Sequence, residues 1–276
     1  MCWEISVLYF GHITSPKSSA TAGIDDDLIL DNPYLGFLLQ KDGENVLVDT
    51  GINERFIVDG KAWAGKPAVG GTKYVIEALK NKGLTPDDID IVIYTHLHND
   101  HAGGCSLFPN ALTIFQKDEL YNLLNPLPSQ KIRSDYDMDV IDELLSLKNI
   151  CMVDGDGELG NGIKYYKTPG HTLGSMSIYV NTEYGPRIMI GDFCHYTYML
   201  FPQTERIMLA DGTVKKITPL PESYGPVFAH NVVYDHYAFY DSYYKLKSLV
   251  PKFEPRYFLC GHDAKLLYTG AKNDFV

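Results

Sequence analysis

Residues 95–104 read THLHNDHAGG and place three histidines and one aspartate within six positions. The residues just before them, Ile91–Tyr94, are β-branched or aromatic, which is typical of a short strand. Side chains repeat every second residue along an extended chain, so His96 and His98 would leave it on the same side. Two imidazoles on one side suit a shared metal ion.

The second half of this stretch predicts a second ion. Asp100 and His101 come just where Ala102, Gly103 and Gly104 allow a tight backbone turn, so this pair would point to a different spot nearby. Burying four such polar groups without partners would cost too much free energy. The pattern therefore favours a site for two metals over a set of core histidines.

Three further candidate ligands follow strand-like segments. His171 comes after Pro169-Gly170, Asp192 ends RIMIGD, and His262 lies in FLCGHD. The carboxylate of Asp192 has two oxygens and could bridge two cations. Histidine and carboxylate ligands without cysteine suit zinc, and also iron, manganese or cobalt. The predicted cofactor is a pair of divalent transition-metal ions, with zinc expected first.

Charge and composition exclude several classes of protein. The net charge is −11 and the 24 basic residues are scattered, which argues against a nucleic-acid partner. No stretch approaches the roughly 18 to 20 apolar residues of a membrane helix. The apolar run in MCWEISVLYFGHITSP has no basic flank and no small-residue cleavage site, so we do not expect it to be a secretory signal. The cysteines are odd in number and lack metal-type spacing, which predicts a reducing, cytoplasmic compartment. They are Cys2, Cys105, Cys151, Cys194 and Cys260.

Helical patterns separate the strand-like segments. One begins with Thr72 as the predicted N-cap and stops at Gly83. It places Val75, Ile76 and Leu79 on one face, which should be buried.

The order of these segments predicts an α+β sandwich of two sheets with helices outside. One half would comprise roughly residues 1–115 and the other residues 150–276, within a single domain of residues 1–276. Residues 196–235 form the least regular stretch, with a hairpin-like turn at Asp211-Gly212. We expect this excursion to pack on the body of the domain.

Five motifs occur in the order of a known family. They are Asp49 in VLVDTG, HLHNDH, TPGHTLGS, IGD and CGHD. Over about residues 35–265 the chain resembles the metallo-β-lactamase superfamily, which implies a four-layer αββα sandwich with two metals at one edge of the sheets. The resemblance implies a support role for Asp49, although a strand-end turn aspartate is an open alternative.

The same resemblance assigns the ligands to two ions. The first ion would take His96, His98 and His171; the second would take Asp100, His101 and His262; Asp192 would bridge them.

Within the superfamily the chain resembles the N-acyl homoserine lactonases, cytosolic enzymes that open the lactone of a quorum-sensing signal. The likeness lies in NPYLGFLLQKDGENVLVDTG, GLTPDDIDIVIYTHLHNDHAGG, GHTLGSMSIYV and GHD. A metal pair about 3.5 to 4 Å apart lowers the pKa of bound water to about 7. Asp100 or Asp192 could take up the proton and pass it to the leaving alkoxide. The substrate would be a small lactone or ester; the oligomeric state is open, with a homodimer as one alternative.

One position departs from the lactonase pattern. Those enzymes carry a tyrosine three residues after the bridging aspartate, where this chain has His195. A neutral imidazole can donate an N–H to a carbonyl oxygen as a phenol does. His195 is therefore predicted to position substrate, with Tyr196 and Tyr198 as the next candidates.

Other functions are weighed against this one. A class B β-lactamase would be exported and would have cysteine in place of Asp192, and a nuclease would need a basic surface. A glyoxalase-type thioesterase shares the histidine motifs, but no basic cluster stands near the C-terminus to hold glutathione. Di-iron redox chemistry and metal binding without turnover also stay open.

Overall fold

The computed structural model describes residues 2–275. The strands are β1 (Glu4–Pro16), β2 (Ile29–Lys41), β3 (Glu44–Val48), β4 (Lys61–Ala62), β5 (Lys66–Gly70), β6 (Ile91–Ile93), β7 (Leu112–Gln116), β8 (Asn149–Val153), β9 (Gly157–Glu158), β10 (Lys164–Lys167), β11 (Met176–Thr182), β12 (Gly185–Gly191), β13 (Arg206–Met208), β14 (Val214–Lys216) and β15 (Phe258–Cys260). The α-helices are α1 (Thr72–Lys80), α2 (Asn99–Ala102), α3 (Lys117–Leu124), α4 (Pro128–Arg133), α5 (Asp139–Ser146), α6 (Thr197–Leu200), α7 (His236–Ser248) and α8 (Leu266–Thr269). No helix among these residues is long and apolar enough to cross a membrane.

The strands form two large sheets and one hairpin. The first sheet has the order β4-β5-β1-β2-β3-β6-β7-β8, and the second has the order β15-β12-β11-β10-β9. Strands β3, β6, β7 and β8 are parallel neighbours, and so are β12 and β15. The hairpin β13-β14 turns at the predicted Asp211-Gly212.

Strand alternation divides the apolar side chains among three cores. Leu38 and Leu47 pack on the outer face of the first sheet with Leu79 of α1. Their neighbours Phe37 and Val48 point the other way, into the core between the two sheets. A third core lies between the second sheet and α7. The layers therefore follow the order helix, sheet, sheet, helix, and the predicted α+β αββα fold is confirmed.

Two details of the sequence interpretation are wrong. Thr72 is the first residue of α1 rather than its N-cap, because the Glu54 carboxylate accepts the Thr72 N–H at 2.8 Å from another part of the chain. Ile76 is 43% exposed, since α1 buries only the narrower stripe of Val75 and Leu79.

The division between the two halves also differs from the prediction. Strand β8 belongs to the first sheet and not to the second half, because it pairs in parallel with β7 after the helical crossover α3–α5. The predicted excursion, residues 196–235, does pack on the body: Ile217 and Val227 are buried in the third core. The single-domain organisation stays a prediction.

Candidate metal centre

The predicted ligands follow the ends of four strands, and the predicted support residue Asp49 follows a fifth. Strands β3 and β6 are parallel, and β10, β12 and β15 run in one direction, so the carboxyl ends of each set meet at one edge of their sheet. These residues are Asp49 after β3, His96 and His98 after β6, Asp100 and His101 on the short helix α2 that comes next, His171 after β10, Asp192 after β12, and His262 after β15.

The structure brings the first three predicted ligands together. His96, His98 and His171 are all buried, and each offers one ring nitrogen within 4.8 Å of the others. The His171 Nε2 and His98 Nδ1 atoms are 3.0 Å apart. The strand before them ends at Ile93, so the local extended backbone, rather than the sheet itself, directs His96 and His98.

Asp100, His101, Asp192 and His262 form the second group. The two oxygens of Asp192 point to different histidines: Oδ1 lies 3.3 Å from His101 Nε2 and Oδ2 lies 3.2 Å from His262 Nε2. The same Oδ2 is 3.7 Å from His171 Nε2 of the first group. Asp192 therefore lies between the two groups, where a bridging carboxylate would have to lie.

Hydrogen bonds fix the ring orientation of three histidines. The Asp49 carboxylate lies 2.9 Å from His101 Nδ1, and Asp49 also accepts the Thr95 N–H. His171 donates from Nδ1 to the Val232 carbonyl, and His262 donates from Nδ1 to the Pro33 carbonyl, both at 2.8 Å. Because a carbonyl can only accept, these two rings carry the proton on Nδ1 and present the Nε2 lone pair.

The polar atoms of the cluster fit a pair of cations. Four buried atoms of the seven predicted ligands have no hydrogen-bond partner within residues 2–275: the Nε2 atoms of His96, His98 and His101, and Asp192 Oδ1. Leaving them unpaired would cost several kcal/mol in total, since each buried polar group costs about 1 to 3 kcal/mol. Metal coordination would satisfy His96 Nε2, His101 Nε2 and Asp192 Oδ1, whereas His98 presents its Nδ1 to the cluster, 3.0 Å from His171 Nε2.

Burial and mutual charge set the protonation of the cluster. Burial lowers the pKa of His96 and His98 well below the usual range and lowers the pKa of His171 to about 4. These imidazoles are neutral at pH 7, as metal ligands must be. Burial also opposes charge on His101, but the Asp192 carboxylate beside it raises the pKa of His101 well above its usual value. A cation could replace the proton held there.

Sequence reasoning missed a buried glutamate that joins the ligand loops. Glu119 of α3 is fully buried and accepts the N–H groups of Leu97 and Gly174, at 2.9 and 2.8 Å, and the Thr172 hydroxyl. It thereby connects the loop of His96 and His98 with the loop that follows His171. Nothing in the local sequence KDELYNLL distinguishes it from a surface residue of a helix.

A cavity of about 600 Å³ opens over the metal cluster. Its lining includes His195, whose Nε2 lies 3.2 Å from Asp192 Oδ2, as close as the predicted ligand His262. Tyr196 also lines the cavity, but its hydroxyl donates to Asn32 Oδ1 at 2.6 Å. Tyr198 does not line this cavity, so only Tyr196 remains of the two alternative tyrosines.

His230 is the second functional candidate that the sequence did not reveal. Its ring stacks on His195 with centroids 4.0 Å apart, and its Nδ1 accepts the Val232 N–H at 3.0 Å. The excursion therefore reaches back over the site, because Val232 also holds His171. The only available signal was an unassigned histidine among the nine in the chain.

The sandwich with its edge cluster of histidines and aspartates defines a metal-dependent hydrolase. Residues 33–196 match the metallo-beta-lactamase superfamily. This match takes in more than half of the chain, and the protein belongs to that superfamily.

Curated relatives and solved structures agree with this placement. The chain is 27% identical over 245 residues to the N-acyl homoserine lactonase AiiA of Bacillus thuringiensis subsp. kurstaki, covering 83% of this chain and 94% of that protein. It is 28% identical over 186 residues to the N-acyl homoserine lactonase AiiB of Agrobacterium fabrum, covering 57% of this chain and 67% of that protein. A solved N-acyl homoserine lactone hydrolase has the product N-hexanoyl-L-homoserine bound at its catalytic metal centre. It is similar to this chain with a TM-score of 0.70 and 25% identity, over 94% of this chain and 92% of that one.

Proposed function

We propose that this protein is a dinuclear metal-dependent hydrolase that opens the lactone ring of N-acyl homoserine lactones and so quenches quorum-sensing signals. The observation that carries the proposal is Asp192, which lies between two ligand groups at the floor of a cavity of about 600 Å³. Relatives and a solved structural neighbour are lactonases of this class.

The residues present would hold two ions. One ion would be held by His96, His98 and His171. The other would be held by Asp100, His101 and His262, and Asp192 would contact both ions. We propose zinc, because three of the six terminal ligands are neutral buried imidazoles and cysteine is absent from the cluster. When bound, such a pair lowers the pKa of water to about 7 and polarises an ester carbonyl.

Two aspartates would handle the proton of the reaction. Asp100 is half-buried at the cavity surface, and burial raises the pKa of its carboxyl. Asp192 is held ionised: burial opposes its charge, but the cluster of histidines around it keeps its pKa well below the usual range. Asp100 is the better carrier, since it can accept a proton and return it to the leaving alkoxide without losing the bridge.

His195 would orient the substrate carbonyl. Its ring is fixed between His230 and His262, with centroids at 4.0 and 5.2 Å. Burial lowers the pKa of His195 well below its usual value, so the ring is a neutral imidazole that can donate one N–H.

We also propose that the enzyme works in the cytoplasm. All five cysteines are free thiols, two of them exposed, which suits a reducing compartment.

The test is a panel of lactones, esters and thioesters assayed on protein of measured metal content. We expect two transition-metal ions per chain by elemental analysis and the highest kcat/KM on N-acyl homoserine lactones. A single ion, or none, in undamaged protein would contradict the dinuclear assignment. A clear preference for thioesters would replace the lactonase function with a glyoxalase-like one.

A further inference from the structure

Several apolar side chains and one unusual cation line the cavity over the ligand cluster. Ile13, Ala20, Trp63 and Ile132 line it, which suits the hydrocarbon part of an acyl chain. Lys66, on the β4-β5 hairpin, lines the same cavity.

Lys66 has no acceptor from the protein. Its side chain makes no hydrogen bond or ion pair with any of residues 2–275, although it is half-buried. The other cation of this cavity, Arg133, is paired with Asp135, with Nη2 2.6 Å from Oδ2. Burial lowers the pKa of Lys66, because the partly buried ammonium loses contact with water and gains no acceptor from the protein.

The backbone keeps Lys66 in this position. The turn before it needs left-handed conformations at Ala64 (φ 56°) and Gly65 (φ 73°), and Lys66 then pairs with Ala62 across the hairpin. Lys66 lines the same cavity as His230, and it forms no ion pair with Asp100 or Asp192.

We propose that Lys66 is a specificity-determining residue that donates to a keto or carboxylate oxygen on the acyl portion of the substrate. The inference rests on the proposed lactonase function and adds the preferred class of acyl chain. The substrate would supply the acceptor that the protein does not, so a chain with such an oxygen gains a charged hydrogen bond that a methylene chain cannot form.

The experiment measures a preference ratio. The kcat/KM of metal-loaded enzyme is measured on N-hexanoyl homoserine lactone, on its keto-substituted analogue of equal length, and on an analogue ending in a carboxylate. We expect the parent enzyme to favour at least one oxygen-bearing chain, and Lys66→Met to reduce that ratio about tenfold, as for loss of one charged hydrogen bond. Lys66→Arg should keep the ratio.

Lys61→Met is the matched control, because Lys61 is an exposed lysine on the same hairpin. Its ratio should equal that of the parent. Thermal unfolding and metal content of each variant confirm that fold and centre are intact. The inference is overturned if the parent shows no preference, or if Lys66→Met keeps the parent ratio.

A second measurement separates this inference from the proposed function. Calorimetry gives the binding of the ring-opened acids, with and without the keto oxygen, to parent and Lys66→Met. If no lactone is hydrolysed, the lactonase proposal fails, whereas a keto preference in binding that depends on Lys66 still supports the acceptor site. Equal binding of both acids to both proteins overturns it.

Discussion

The ligand cluster and the cavity wall above it are built in different ways. The cluster comprises the seven predicted ligands and comes from loops that directly follow strands β6, β10, β12 and β15. The cavity wall includes Lys66, His195 and His230, which come from a hairpin, a turn and an irregular excursion. In the cluster, the outward-facing ring nitrogens of His101 and His171 have partners, namely Asp49 and the Val232 carbonyl.

The difference teaches which part of the site is fixed before substrate arrives. The cluster is preorganised for cations. Hydrogen bonds to the outer ring nitrogens of His101, His171 and His262 hold these rings with their other nitrogen toward the centre. The wall keeps donors without acceptors, as at Lys66, so the substrate completes it. Substitutions in the cluster should therefore change metal content, and substitutions in the wall should change substrate kinetics alone.

The largest effect is expected for Asp192→Asn. The change keeps the side-chain volume but removes the charge that would offset two dications, so at least one ion should be lost and turnover should fall by several orders of magnitude. Elemental analysis and kcat give the two readouts. Asp211→Asn, in an exposed turn, is the control. Near-normal activity with both ions retained would show that Asp192 is not the bridge.

His195→Ala should lower kcat/KM by about 10²- to 10³-fold with both metals bound, the usual cost of losing one oxyanion-type donor. His195→Tyr should keep or raise activity on simple lactones. If the alanine variant matches the parent rate, Tyr196 becomes the candidate donor. If the alanine variant loses a metal, His195 is itself a ligand. His195 Nε2 lies 3.2 Å from Asp192 Oδ2, which is close enough for this alternative to need the test.

Asp49→Asn should weaken metal binding or activity about 10- to 100-fold, because it removes an acceptor from a ligating histidine. The amide would place an N–H donor against His101 Nδ1. Titration with a metal chelator measures the affinity. Thr95→Val keeps the contact between Asp49 and His101 but removes the hydroxyl contacts of Thr95 to Asp49 Oδ2 and to His96 Nδ1, and it should cost less. An equal loss in both variants would favour a strand-end turn role for Asp49.

The smallest effect is expected at His230. Aromatic pairs contribute about 0.5 to 1.5 kcal/mol, so His230→Ala should lower kcat/KM roughly 2- to 12-fold through a looser His195. His230→Phe keeps a ring to stack on and should cost less. Steady-state kinetics with unchanged metal content checks both. A loss as large as that of His195→Ala would mean that His230 contacts substrate itself.

Much of the cluster could be predicted because its signals are local. His96, His98, Asp100 and His101 stand within one short stretch, and glycine or proline marks the turns next to His171 and His262. The structure brings all seven predicted ligands together, while their assignment to two ions stays a prediction.

Contacts between distant segments could not be predicted in this way. Glu119 joins two ligand loops from a helix whose sequence looks like a surface helix, and His230 reaches His195 across 35 residues of irregular chain. The start of helix α1 is a second example, because Glu54, 18 residues earlier in the chain, accepts the Thr72 N–H, whereas the local sequence predicted Thr72 itself as the cap.

The sequence alone determined the family, the αββα layers and the residues able to bind metal, because strand periodicity and closely spaced ligands are properties of neighbouring residues. The tertiary structure alone decided which side chains face the substrate. Burial and unpaired donors depend on which segments meet in space: Lys66 from a hairpin and His230 from the excursion share one cavity although 164 residues separate them. No local sequence pattern predicts that these two residues line the same cavity.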